Sequence, residues 1–146
     1  MMGICMGMKK IAMIPIGAET NGLTNKSLRL IAGKPLIEYI LRAVIKSGQF
    51  KLNDIYINSS SPEYKIIADQ FGVSCYQRPE SYASDVATLD DLVGDFLANV
   101  TCDFLFQFLT TSPFVSPDQV DQFVNSMVND ELDTLRSVVA QKRECV

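Results

Sequence analysis

The sequence predicts an α/β domain of three layers, with a mostly parallel sheet and helices on both faces. Three observations carry that expectation. Short apolar runs alternate with longer stretches of helical periodicity from end to end. The helical stretches begin and end on residues suited to helix termini. A chain of 146 residues, 47% of them hydrophobic, can fill the core of one such domain.

The elements follow in order. Residues 1–9 are expected to be a loose extension, rich in methionine, with apolar residues ahead of the lysines, the reverse of a secretory signal. Lys10 to Pro15 reads as a buried first strand. Residues 16–27 hold two Gly, two Asn, two Thr and a Ser, a polar loop after a strand. Gly33 marks a turn, and Pro35 suits the first turn of a helix. Leu36, Ile37, Ile40, Leu41, Val44 and Ile45 form one helical stripe, closed by Gly48.

Asp54 to Asn58 alternates as a strand. Ser61-Pro62-Glu63 predicts a helix start with Ser as cap, and that helix runs to about Gly72. Val73 to Gln77 is a short strand, 78–88 a polar loop, Leu89 to Asn99 a helix and Phe104 to Leu109 a strongly apolar strand. Ser116-Pro117-Asp118-Gln119 is a capping box that opens a helix with Val120, Phe123, Val124 and Met127 on one stripe. Leu135 to Ala140 is a last strand candidate. All of this forms one domain over 10–146.

Composition excludes several classes. The net charge of −4 opposes a general nucleic-acid binder. No apolar run is long enough to cross a membrane. The four cysteines (Cys5, Cys75, Cys102, Cys145) form no CxxC pair and there is no histidine, which opposes zinc and removes Ser-His and Cys-His nucleophile schemes. Cys75 and Cys102 lie beside apolar segments and read as buried reduced thiols, which fits a cytoplasmic setting.

In such a sheet ligands bind beyond the carboxyl ends of the strands, which directs attention to residues 16–27, 58–62, 78–88 and 110–116. Lys26, Arg29 and Lys34, with two glycines nearby, suit a polyphosphate, although a solvated loop with scattered cations explains them equally. The P-loop and GxGxxG patterns are absent. Thr110-Thr111-Ser112-Pro113 offers hydroxyls at a strand end, either to read a base or sugar or to close a turn. Arg78 is a candidate phosphate fork or an ordinary surface arginine. Asp85, Asp90, Asp91 and Asp95 are either Mg²⁺ ligands or a solvated helix face.

Taken in series, four stretches resemble the acylneuraminate cytidylyltransferase family, whose members join sugar acids to CMP from CTP and release pyrophosphate. They are Ile14-Pro15 with Gly22, Lys26 and the run Leu28 to Ile37; Phe71-Gly72-Val73 with Arg78-Pro79-Glu80 and Ala83-Ser84-Asp85; Thr111-Ser112-Pro113 before a capped helix; and Ser137-Val138-Val139. The resemblance implies a nucleotidyltransferase, Rossmann-like sheet, CTP or another nucleotide and an acidic sugar as partners, Mg²⁺ as cofactor, and a possible homodimer. It implies Lys26 as the catalytic phosphate contact. It places Ile16, Gly17, Asn21, Gly22, Ser27, Arg78, Asp85, Thr88, Thr111 and Ser112 with Lys26 around the nucleotide.

This sequence departs from the family's pattern at named positions. Gly17 stands where an arginine is expected, Asn21 where a lysine is, and Ser27 where an asparagine is. Leu109 and Thr110 replace a glutamine and a proline, and Gln107 lies two residues earlier in the strand. The family's C-terminal part, with its dimerisation arm and metal-holding acidic pair, is expected to be lacking. Three readings remain: a cytidylyltransferase for an acidic sugar, a catalytically impaired relative that binds a nucleotide or a partner, and an enzyme with an altered nucleotide or sugar.

Overall fold

The computed structural model describes residues 7–17, 26–83 and 86–137. Its centre is a four-stranded parallel sheet made of β1 (Lys10–Pro15), β4 (Ile55–Ser59), β5 (Ser74–Gln77) and β6 (Phe104–Gln107) in the order β5-β4-β1-β6. β1 pairs with β4 in the register Ala12 to Ile55 and Ile14 to Ile57, and with β6 in the register Ile11 to Leu105 and Met13 to Gln107. A small antiparallel hairpin, β2 (Leu30–Ile31) and β3 (Lys34–Pro35), stands apart.

Both faces of the sheet are covered, so its central strand is apolar at every position after Lys10. Ala12, Ile14, Ile55 and Ile57 pack with Ile37, Ile40, Leu41 and Val44 of α1 (Leu36–Ser47), Tyr64 and Ala68 of α2 (Glu63–Phe71), and Val120 and Val124 of α4 (Pro117–Asn129). On the other face Ile11 and Met13 meet Phe96 of α3 (Leu89–Asn99). The Phe96 ring lies edge-on to Tyr56 at 5.3 Å and Tyr76 at 5.1 Å. Among the described residues α3 is the single helix on that face.

The expected element order is observed, with differences at element ends. Gly48 and Gly72 close α1 and α2 in left-handed conformation, as expected. Pro35 lies in extended conformation just before α1, not in its first turn, because it pairs with Leu30 across the hairpin. The hairpin turns at Ala32 and Gly33, both with positive φ (49° and 80°), a conformation glycine alone adopts freely.

Ser61 does not cap α2: its hydroxyl bonds the Glu63 carboxylate, and no side chain receives an amide there. The strand expected to reach Leu109 ends at Gln107. Leu135 to Ser137 are not in a strand, and the rest of that candidate lies outside the described residues. Of the expected N-terminal extension, Lys9 is anchored: its amide donates to Asp103 Oδ2 at 2.6 Å. Cys75 and Cys102 are free and half-buried, and burial pushes both thiols up.

Candidate functional site

Three connections emerge at the carboxyl end of the sheet and meet there. β1 leads into Ile16 and Gly17, β5 into the segment with Tyr82, and β6 into Leu109, Thr110 and Thr111. Between them lies a cleft of about 220 Å³, lined by Pro15, Gly17, Tyr82, Ala87, Leu89, Leu92, Leu109, Thr110 and Thr111. Among the described residues no charged side chain lines it. Its walls are largely apolar, with the hydroxyl-bearing side chains of Thr110, Thr111 and Tyr82 among them. A wider groove of about 580 Å³ includes Leu52 and Phe71, which precede β4 and β5, so it lies toward the opposite end of the sheet. Its Arg42 is already paired with Glu38 and lies over the Phe71 ring at 5.3 Å.

The first loop returns to the cleft through Ser27, whose buried hydroxyl donates to the Thr110 hydroxyl at 3.2 Å. Lys26 sits one residue earlier, exposed, in a short 3₁₀ turn that also includes Leu28. The turn after β6 is closed by the Ser112 amide donating to the Leu109 carbonyl at 3.1 Å.

Arg78 is not an exposed loop residue. Its side chain is 2% exposed. Nη2 donates to the Ile16 carbonyl at 2.7 Å. Nη1 donates to the Asn58 carbonyl at 3.2 Å and to Asn58 Oδ1 at 3.1 Å. The Arg78 amide donates to the Ser59 carbonyl at 2.8 Å, and the Ile16 amide to the Asn58 carbonyl at 2.9 Å. The guanidinium therefore ties the ends of β1, β4 and β5 together beneath the cleft. Desolvation lowers its proton affinity, and Asp95 opposes that shift.

The far wall is the start of α3. Thr88 is its cap: the hydroxyl accepts from the Asp91 amide at 3.2 Å and donates to Asp91 Oδ2 at 2.8 Å, while Asp91 accepts from the Thr88 amide. The Thr88 amide and hydroxyl hold the Asp91 carboxyl below its ordinary range. Asp95 accepts from the Tyr76 hydroxyl at 2.8 Å. Asp91 and Asp95 are thus occupied with the helix. Among the described residues no group of three or more Cys, Asp or Glu is placed to hold a metal ion, and the chain has no histidine. The described residues do not fit a Mg²⁺ site.

Of the expected site residues, Gly17 and Thr111 line the cleft. Ile16 and Ser27 adjoin it from below, through Arg78 and Thr110. Thr88 stands between the lining residues Ala87 and Leu89, with its hydroxyl in the cap. Ser112 closes the turn. Gln107 is not among the lining residues. Asn21, Gly22 and Asp85 lie outside the described residues. Sequence reasoning missed Tyr82, Ala87, Leu89 and Leu92, which look like ordinary helix-flanking apolar residues. It missed the Thr88–Asp91 box too, although a Thr three residues before an acid, ahead of an apolar run, announces one.

Comparison with known proteins fits this frame. The N-acylneuraminate cytidylyltransferase of Streptococcus agalactiae is 30% identical over 131 residues, 89% of this chain and 32% of that protein. The CMP-N,N'-diacetyllegionaminic acid synthase of Legionella pneumophila is 31% identical over 119 residues, 77% of this chain and 50% of that protein. Among solved structures, a CMP:2-keto-3-deoxy-manno-octonic acid synthetase complexed with CTP superposes with a TM-score of 0.70 at 19% identity, over 84% of this chain and 48% of that one. The chain spans about a third of the length of the first of these relatives. Residues 11–146 match the sequence model of the family described as cytidylyltransferase, a match that takes in every described helix and all of the sheet but Lys10, and the chain belongs to that family.

Proposed function

We propose that this chain is the CTP-binding part of a cytidylyltransferase that joins an acidic sugar to CMP and releases pyrophosphate. The observation that carries the reading is the convergence of three strand-end connections on one apolar, hydroxyl-edged cleft, in a member of this family. The relatives named above are, by their names, makers of CMP-linked acidic sugars, which supports that substrate class.

In this reading the base and ribose lie between Pro15, Tyr82 and Leu109, with the Thr111 hydroxyl and the Gly17 backbone as polar partners. Lys26, at the foot of the first loop, neutralises phosphate charge. Asn21, Gly22 and Asp85 keep the nucleotide-side positions that the family resemblance implies. The sugar hydroxyl oxygen attacks the α-phosphorus, the P–O bond to the β-phosphate breaks, pyrophosphate departs, and the hydroxyl proton passes to water.

A second reading, nucleotide binding without turnover, is favoured by Gly17 and Asn21, which put no cation where the resemblance expects two. One experiment separates them. Folded protein is given CTP, a divalent cation and a panel of acidic keto sugars, and pyrophosphate is measured. Release with one sugar supports the transferase. CTP binding without release supports the second reading, and neither overturns both. We extend the first reading to a homodimer in which a second copy covers the edge that β6 presents among the described residues; a monomer at high concentration by light scattering overturns that extension.

A further inference from the structure

The first loop leaves the sheet at Ile16 and Gly17 and returns through the short turn Lys26–Leu28. The return is held on its α1 side. Leu28 packs against the main core, the Arg29 amide donates to the Lys26 carbonyl at 3.2 Å, and the Leu36 amide donates to the Arg29 carbonyl at 2.9 Å. On its cleft side the turn is held by Ser27, whose hydroxyl donates to the Thr110 hydroxyl at 3.2 Å. Among the described residues this is the one hydrogen bond between the turn and the connection that follows β6.

The two ends of that bond have different neighbours. Thr110 is part of the cleft wall and is followed by Thr111, also in the wall. Ser27 is buried, is not a lining residue, and follows the exposed cation Lys26 directly. A buried hydroxyl keeps its partner because few waters can replace it. The bond therefore fixes how far Lys26 stands from the wall. A proline at 110, the residue the resemblance expects, has no hydroxyl to accept, so the tie is particular to this chain.

We propose that Ser27 and Thr110 are a positioning pair that locks the Lys26 side of the cleft to its Thr111 side, so that both halves of one nucleotide are bound at a fixed separation. This rests on the nucleotide reading of the cleft. Ser27 acts through Thr110 and touches no ligand itself. A ligand that spans both halves gains from their being preset, because it does not have to order them on binding. A ligand that occupies one half gains nothing from the lock.

The test measures CTP, cytidine and inorganic tripolyphosphate separately by NMR titration, which reaches millimolar affinities, on Ser27→Ala, Thr110→Val, the double variant and Thr110→Ser. In Ser27→Ala, CTP should weaken about fivefold, the scale of one ordinary hydrogen bond, while cytidine and tripolyphosphate each stay within about twofold. The double variant should bind CTP no more weakly than the weaker single variant, since all three lose one and the same bond. Thr110→Ser returns the hydroxyl and should restore CTP binding. If Ser27→Ala does not fold, Thr110→Val with its rescue by Thr110→Ser carries the test. Cytidine falling by the same factor as CTP in Ser27→Ala, unchanged CTP affinity, or losses that add in the double variant overturn the proposal and leave the nucleotide reading standing. A wild-type protein that binds no CTP overturns both.

Discussion

The Ser27 hydroxyl donates to the Thr110 hydroxyl at 3.2 Å, joining two loops 83 residues apart in the chain. Ser27 is 7% exposed, so few waters can replace a lost partner. Thr110→Val keeps the shape and removes the acceptor, and it should cost about 1–2 kcal/mol in denaturant unfolding. Thr110→Ser should recover most of that, because the oxygen returns. Equal midpoints for the wild type and Thr110→Val would show the bond to be inconsequential.

The Thr88 cap governs the start of α3. Thr88→Ala should lower stability by about 1 kcal/mol, read from urea unfolding. Asp91 gives the pH signature. Its folded pKa lies below its ordinary 3.8, so its contribution is present above that value and fades as pH falls through the lower folded pKa. In Asp91→Asn that part of the acid dependence should vanish, which unfolding midpoints between pH 2 and pH 6 would reveal.

Phe96 is fully buried and touches two tyrosine rings. Phe96→Ala should cost about 3–5 kcal/mol, through lost burial and a cavity that the sheet side cannot fill. Leu97, on the same helix but 45% exposed, is the control, and Leu97→Ala should change the midpoint little.

Lys26 is exposed, so its substitution should act on ligand and not on fold. Lys26→Gln should weaken CTP binding about tenfold at low salt and less as salt rises, with cytidine unaffected. An unchanged CTP affinity would remove Lys26 from the phosphate side.

Local signals were the readable ones. Gly48, Gly72 and the Ser116-Pro117 cap end or begin helices through bonds within a few residues, and the sequence shows them directly. The α1 stripe was readable because a 3.6-residue period sorts buried from exposed side chains by itself. Arg78 was not. Its acceptors Ile16 and Asn58 lie 62 and 20 residues away, and nothing in Arg78-Pro79-Glu80 says that the guanidinium turns inward. The cleft was half readable. Gly17 and Thr111 stand in polar loops that invite attention, whereas Leu89 and Leu92 take their place in it from how α3 docks. The Ser27–Thr110 bond shows the same limit, since it exists only once β1 and β6 are neighbours.

Among the described residues one helix, α3, covers the second face of the sheet, and that arrangement has a thermodynamic corollary. Phe96, which anchors α3 to β1, and Leu89 and Leu92, which wall one side of the cleft, belong to one short rod, a segment expected to open as one cooperative unit. A ligand held between Gly17 and Leu92 should slow amide exchange along α3 by a factor that grows as free ligand over Kd. Occupancy of the cleft is thereby written into the protection pattern of a helix whose far end never meets the ligand.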